Sequence, residues 1–298
     1  MTPPPEDLQA SIDILTPSYN YGRFLEDAMD SVAGQAGVHC RHIVQDAESS
    51  DETLDILSRR DDPNLSWTSE PDAGQSDALN RALAAGDSPW VGWLNADEFY
   101  LPGAMRHLLS VAQGSRADVV YGDAVFVDQH GNFVRLLPQH RFSKFVLRHY
   151  GTIIPTCGML VRRSAIEAAG WEARLRKIMD WDLFLRLLDI GMQFRHTAFP
   201  VGAFRLHSDQ VTAGPQEHFA HEYKEMRVKW GSRPTPVHTI AGRLLHASLK
   251  QTSGSYRRQR ALSAMAERNL RWFADDAAME AARDVVRIAY PATQEDGG

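Results

Sequence analysis

Trp90-Val91-Gly92-Trp93-Leu94-Asn95-Ala96-Asp97-Glu98 passes without a break from an apolar run into an acidic, amide-bearing loop. A short continuous apolar run bounded by polar residues is the pattern of a strand buried on both faces, which belongs in a parallel sheet covered by helices. In such sheets ligands collect beyond the carboxyl ends of the strands, so the loop that opens at Asn95 is where chemistry is expected.

Working outward, the same arrangement repeats. Strands are predicted at 12–16, 42–45, 65–69, 90–94 and 119–127. Between them Phe24, Leu25, Ala28, Met29 and Val32 share one face at helical spacing, as do Ala78, Leu79, Ala82 and Leu83, and a helix over 101–113 carries Pro102 in its first turn. The alternation predicts an α/β fold with a mostly parallel, Rossmann-like sheet and flanking helices. It ends near Val127, where Asp128-Gln129-His130-Gly131-Asn132 has the composition of a hairpin turn. Further strands are predicted at 159–161, 194–197 and 203–207 and a helix at 180–188. Beyond Pro215 the chain turns to Ala, Arg, Glu and Met, predicting helices at 241–251 and 257–289 as a C-terminal extension.

The 298 residues are 43% hydrophobic and 23% charged, which excludes disorder and collagen-like order. A net charge of −6 gives no general attraction to nucleic acid, so a phosphate-bearing ligand has to be held by local geometry or by a metal. Cys40 and Cys157, far apart and without metal-ligand spacing, predict free thiols and a reducing, cytoplasmic setting. No apolar run reaches the roughly 18 residues of a membrane span, and prolines and acids occupy residues 1–7 where a signal peptide needs basic and then apolar residues.

Four predicted strand ends are polar in the same register. They are Thr16-Pro17-Ser18-Tyr19-Asn20, Asp46-Ala47-Glu48-Ser49-Ser50-Asp51, Glu70-Pro71-Asp72-Ala73-Gly74-Gln75 and Asn95-Ala96-Asp97-Glu98. Such a rim suits a divalent cation, Mn²⁺ or Mg²⁺, shared with a phosphorylated ligand, because these ions prefer carboxylate oxygens and substrate phosphates. Asp97 is the first candidate ligand, with Asn95 and Glu98 beside it. The competing role for this loop is capping the helix near Pro102; Asp46 and Asp51 could equally form turns, and Asp77 a first-turn dipole partner.

Over residues 11–214 these blocks resemble the inverting nucleotide-sugar glycosyltransferases of family 2, which have the GT-A fold. Thr16 to Asn20 resembles the family's first strand end, against the base and ribose; Asp46 to Thr53 resembles its Asp-Gly-Gly-Ser-Thr-Asp-Gly-Thr block, with Asp46 matching the base contact. Ser69 to Asn80 is similar to a stretch lining the nucleotide pocket. Leu94 to Glu98 falls on the DXD-type metal motif with Asp97 as ligand, Met179 to Leu187 on the block holding the catalytic base, with Asp180 as that base, and Phe204-Arg205-Leu206-His207 on the histidine of the metal site. Asn95 for an acid, Glu98 for Asp, and Ala47-Glu48 for two glycines are departures from the family pattern.

The resemblance implies a flexible N-terminus at 1–10, a catalytic domain at 11–214 and a helical region at 215–298. The catalytic domain divides into a nucleotide-binding part at 11–128 and an acceptor-binding part at 129–214. It assigns the nucleotide of a donor, UDP being commonest in the family, to Thr16, Pro17, Tyr19, Asp46, Asp72, Gln75, Asp77, Asn95 and Ala96. The cation goes to Asp97 and His207. Diphosphate or acceptor contacts fall to Glu98, Arg205, Trp181 and Cys157. Asp180, its pKa raised by apolar surroundings near Met179 and Trp181, would take the acceptor proton; the other role for it is a helix cap. Asp182, two positions on, faces elsewhere and is expected to be structural. Trp171 and Trp181 are the tryptophans expected to stack on sugar, while the other role for Cys157 is a small buried thiol.

The arginines of the tail, Arg257, Arg258, Arg260, Arg268, Arg271, Arg283 and Arg287, leave two roles open. One is peripheral membrane contact; the other is a packed subdomain or homodimer face, favoured by the interspersed acids. Two other functions compete with glycosyl transfer. A nucleotidyltransferase needs a glycine-rich basic loop after the first strand, which Thr16–Asn20 is not; an inactive nucleotide-sugar binding module would fit Asn95 and Ala47.

Overall fold

A computed structural model describes residues 10–208, 210, 216–230 and 236–263. The expected flexible N-terminus, but for Ala10, and the helix expected beyond Ser263, with Arg268, Arg271, Arg283 and Arg287, lie outside the described residues.

The first half is a run of βα units: β1 Ile12–Ser18, α1 Gly22–Ala33, β2 Cys40–Asp46, α2 Thr53–Arg59, β3 Leu65–Ser69, α3 Gln75–Ala85 and β4 Trp90–Trp93. The two-residue β5 Phe99–Tyr100 and α4 Ala104–Ser115 follow. Then come β6 Val119–Val127, β7 Phe133–Leu137, α5 Lys144–His149, β8 Met159–Arg162, α6 Arg163–Ala169, α7 Met179–Asp189 and β9 Phe194–Arg205. Helices α8 Gln216–Lys229, α9 Pro236–Thr252 and α10 Ser255–Ser263 close the described chain.

One sheet runs in the order β3-β2-β1-β4-β8-β6-β9-β5, with β7 paired to β6. β3, β2, β1 and β4 are parallel, and the direction of winding reverses between β1 and β4. That reversal opens a crevice at the strand ends, the place where such sheets bind ligands. Register makes the crevice compact: Ser18 pairs with Asp46 and Asp46 with Ser69, so three strands stop together.

β1 is central and apolar, and it alternates between cores. Ile12 and Ile14 face a cluster with α1 and α4 (Ala28, Val32, Leu108), while Leu15 faces the other side with Leu79, Trp93 and Phe184. Met226 of α8 and Leu249 of α9 belong to that second cluster, so the C-terminal helices share the core of α7. On β1 itself Asp13 is fully buried, held by Arg163 at 2.5 Å, Arg41 at 3.0 Å and the Ser88 hydroxyl at 2.6 Å.

Two expectations are corrected. The strands predicted at 194–197 and 203–207 are one strand, β9, parallel to β6; its register shifts opposite Asp123, where Pro200 sits, and a proline inside a strand is tolerated at such a bulge. His207 lies past the end of β9. The hairpin at 128–132 is present between β6 and β7, with Asp128 accepting from the backbone of His130 and Asn132 and Gly131 at φ 81°. Among the described residues no helix is long and apolar enough to cross a membrane. Both cysteines are free and buried.

Candidate active site

The loops at the β1–β4 crevice and the start of α7 enclose a cavity of about 610 Å³. Pro17 and Tyr19 enter it from the end of β1, Asp72 and Gln75 from the β3–α3 loop, and Asn95, Ala96, Asp97 and Glu98 from the end of β4. Asp180 lines it from the first turn of α7. Nine of the residues expected at the site therefore share one chamber.

The β4 loop is built by its own polar groups. The Asn95 side-chain oxygen accepts from Gln75 at 2.6 Å and from the Trp93 indole at 2.8 Å, which fixes the amide toward α3. Glu98 turns inward, accepting from the Asn95 backbone and the Thr156 hydroxyl. Burial, and next the charge of Asp97, push its carboxyl well above the usual range.

Asp97 points to His207, Oδ2 to Nε2 at 3.0 Å. The His207 ring packs on Phe24, centroids 4.6 Å apart, and its Nδ1 is buried without a hydrogen-bond partner among the described residues. A carboxylate and an imidazole at this distance give one oxygen and one nitrogen donor, a set that suits Mn²⁺ or Mg²⁺ completed by phosphate and water. No group of three His, Cys, Asp or Glu capable of holding a metal by itself occurs among the described residues.

Asp180 accepts from the backbone N–H of Trp181 at 2.8 Å and is half-buried; burial pushes its carboxyl up to about 6. It is not the N-cap, which is Ile178. Asp182 is buried on the far side, taking Arg186 at 2.6 Å, Lys229 at 2.8 Å and the Trp230 indole at 2.9 Å. Burial alone would raise it, but these donors hold it below the usual range.

Seven expected residues stand elsewhere. Thr16 is buried against His42 at 2.8 Å, and Asp46 is fully buried, accepting from Ser49 and Ser69, so it shapes the loop from beneath the cavity. Asp77 caps the turn at Ala73 and pairs with Arg81. Arg205 was expected at the diphosphate, yet its guanidinium is buried and donates to Asp97 O at 3.0 Å, Gln129 O at 3.1 Å and Asp27 at 2.5 Å. It props the backbone of Asp97. Trp181 and Trp171 are both 4% exposed, Trp181 bonded to Leu147 O and Trp171 edge-on to Trp93, so neither presents a face to sugar. Cys157 is fully enclosed, its carbonyl pressed against Gly202, and it does not line the cavity.

The cavity also contains Arg176 and Lys177, which sequence reasoning passed over. Their signal was a basic pair directly ahead of the acidic start of α7.

The family model described as Glycosyl transferase family 2 matches residues 13–170. The chain is 24% identical over 213 residues to an uncharacterized glycosyltransferase of Rickettsia prowazekii, covering 67% of this chain and 65% of that protein. It is 21% identical over 194 residues to chondroitin synthase of Pasteurella multocida, covering 62% of this chain and 19% of that protein. Against the first of the curated relatives, a glycosyltransferase of Rickettsia felis, the chain spans 38% of the length. Among solved structures, S. aureus TarS with UDP-GlcNAc superimposes with a TM-score of 0.63 at 15% identity, over 94% of this chain and 89% of that one. Mannosyltransferase PcManGT of Pyrobaculum calidifontis, solved with GDP-Man and Mn²⁺, gives 0.55 at 15% identity, over 92% and 86%. The likeness establishes the shared GT-A fold.

Proposed function

The chain belongs to glycosyl transferase family 2, and from that premise we propose that it moves a sugar from a nucleoside-diphosphate sugar to an acceptor hydroxyl with inversion at the anomeric carbon. The observation that carries this reading is the placing of Asp97 and Asp180 in one cavity, the first beside His207 and the second on a separate helix.

Inversion needs a base on one side of the anomeric carbon and a leaving group on the other. Asp180, poised near 6, is largely ionised at neutral pH yet basic enough to take the proton of a bound hydroxyl. As that oxygen bonds to the anomeric carbon, the bond to the diphosphate breaks and the nucleoside diphosphate leaves with the electron pair. Asp97 and His207 would hold the divalent cation, which supplies Lewis-acid relief of the charge growing on the diphosphate. Pro17, Tyr19, Asp72, Gln75, Asn95 and Ala96 would bound the nucleotide and sugar, while Asp46 and Arg205 support them from behind. UDP and GDP come first as donor nucleotides, since TarS carries UDP-GlcNAc and PcManGT carries GDP-Man on the same fold.

Thermal unfolding with UDP, GDP, dTDP and CDP, each with Mn²⁺ and again with EDTA, tests the reading. A nucleotide at about 100 times its Kd stabilises by roughly 2.7 kcal/mol, a shift of several degrees for a chain this size. One nucleotide shifting Tm only with Mn²⁺ is the expected result; no shift with any of the four overturns it.

A further inference from the structure

We propose that the acceptor carries an anionic group, a phosphate or a carboxylate, and that Arg176 and Lys177 hold it beside Asp180. The proposal rests on the reading of Asp180 as the base that meets the acceptor.

The cavity is lined by five acids, Glu48, Asp72, Asp97, Glu98 and Asp180, and among the described residues its only Lys or Arg are Arg176 and Lys177. Both cations come from the turn that leads into α7, immediately ahead of the base. None comes from the ends of β1 and β4, where the donor and its cation are assigned. A neutral acceptor could take hydrogen bonds from this basic pair but would gain no charge attraction from it. An anionic one entering beside Glu48, Asp72 and Asp180 would be repelled without it.

The turn is prepared for such a task. The carboxylate of Glu222 on α8 accepts from both backbone amides, Arg176 N at 3.0 Å and Lys177 N at 2.9 Å, and so grips the chain without taking the Arg176 side chain. The carbonyl of Leu175 is held by the Ser76 hydroxyl at 3.0 Å. Arg176 reaches across the cavity mouth, where its Nη2 donates to Ala73 O at 3.2 Å. It lies over Gly74, whose φ of 112° and missing Cβ leave room; a Cβ there would stand 3.2 Å from Nη1. Neighbouring arginines are neutralised, Arg81 by Glu70 and Asp77, Arg174 and Arg186 by Glu172. Arg176 is exposed and has no carboxylate within ion-pair distance among the described residues; its one bond to a neutral carbonyl leaves the rest of a fork suited to phosphate or carboxylate.

The test compares matched probes on the full chain by calorimetry: glycerol 3-phosphate against glycerol, and glucuronate against glucose, with and without saturating UDP and Mn²⁺. Saturation blocks the donor pocket, so binding that survives it lies elsewhere. The expected result is that at least one charged probe binds about tenfold or more tightly than its neutral counterpart and weakens with added salt. In the doubly substituted Arg176→Gln, Lys177→Gln chain that preference disappears while UDP–Mn²⁺ affinity is unchanged. Which probe keeps the preference tells phosphate from carboxylate. Equal binding of charged and neutral probes overturns the proposal, as does a double variant that loses UDP–Mn²⁺ and keeps the anion preference. If no nucleotide binds yet the charged probe does, in a manner that needs Arg176, the anion site stands and the donor reading falls.

Discussion

Asp97 and His207 meet side chain to side chain at 3.0 Å across 110 positions of sequence, and Arg205 between them in the fold grips the backbone of the first from the strand that delivers the second. Asp97→Ala is expected to abolish the Mn²⁺-dependent part of nucleotide binding. His207→Ala is expected to weaken Mn²⁺ by roughly tenfold or more, as removal of groups around a metal does. Mn²⁺ titration in the presence of the bound nucleotide reads both. Unaltered affinity in His207→Ala would take the imidazole out of the site.

Asp180 and Asp182 are two residues apart on one helix and should fail in opposite ways. Asp180→Asn is expected to lower kcat by about 10²–10⁴ while the nucleotide still binds, since it removes only the base. Asp182→Ala strips three donors of their acceptor, Arg186, Lys229 and Trp230, and should cost about 2–3 kcal/mol of stability. Turnover per folded molecule should survive that loss far better than it survives Asp180→Asn. Steady-state rates and urea midpoints on the two variants separate the roles.

The pH dependence carries a sign that can be checked twice. Base catalysis needs ionised Asp180, so kcat/KM should climb with pH through about 6 and then level off. For stability the direction reverses. The folded pKa lies above the unfolded value near 3.9, so the native state binds this proton more tightly; the stability it confers is present below that value and lost as pH rises through about 6. Asp180→Asn should therefore raise Tm at pH 8 and leave it nearly unchanged at pH 4. An acid limb that persists in a variant with residual activity would assign the titration to another group.

Removal of Asp13 tests the buried ion cluster at the start of β1. With Arg163 left only the longer 3.4 Å pair to Glu167 and standing beside Arg41, Asp13→Ala should cost about 3–5 kcal/mol, seen as a lower urea midpoint at unchanged slope. Nucleotide affinity of the remaining folded protein should be intact, because the cluster lies away from the cavity.

Gly202→Ala probes the packing of β9. A Cβ at Gly202 would sit 2.1 Å from the Cys157 carbonyl, so backbone must move, at a cost of at least about 1–3 kcal/mol. A thermal scan with Tm unchanged would show that the strand can shift freely there.

The parallel half of the fold was legible because its strands are apolar on both faces and stop at polar loops in register. The two-residue β5 and the short α2, α5 and α6 were not, since six or seven residues carry too little periodicity to declare a helix. Pro200 disguised one long strand as two. At the site, residues in loops were readable by type and order, but direction was hidden. Arg205 and Trp181 sit in blocks that invite a ligand, yet burial and long-range partners turn them to the core. The basic pair at 176 and 177 escaped notice because its meaning depends on Glu222, which the sequence does not tie to it.

The grip of Glu222 on the turn before Asp180 bears on how this scaffold can be recombined. The family model ends at residue 170, before the base, and the composition changes near 215, so either would be a natural place to splice one acceptor half onto another. The cut near 215 would part the turn from α8, whereas one at 170 keeps the two on the same side. A hybrid that keeps its parent's selectivity should carry residues 171–230 as one inherited block, with the crossover placed after Trp230.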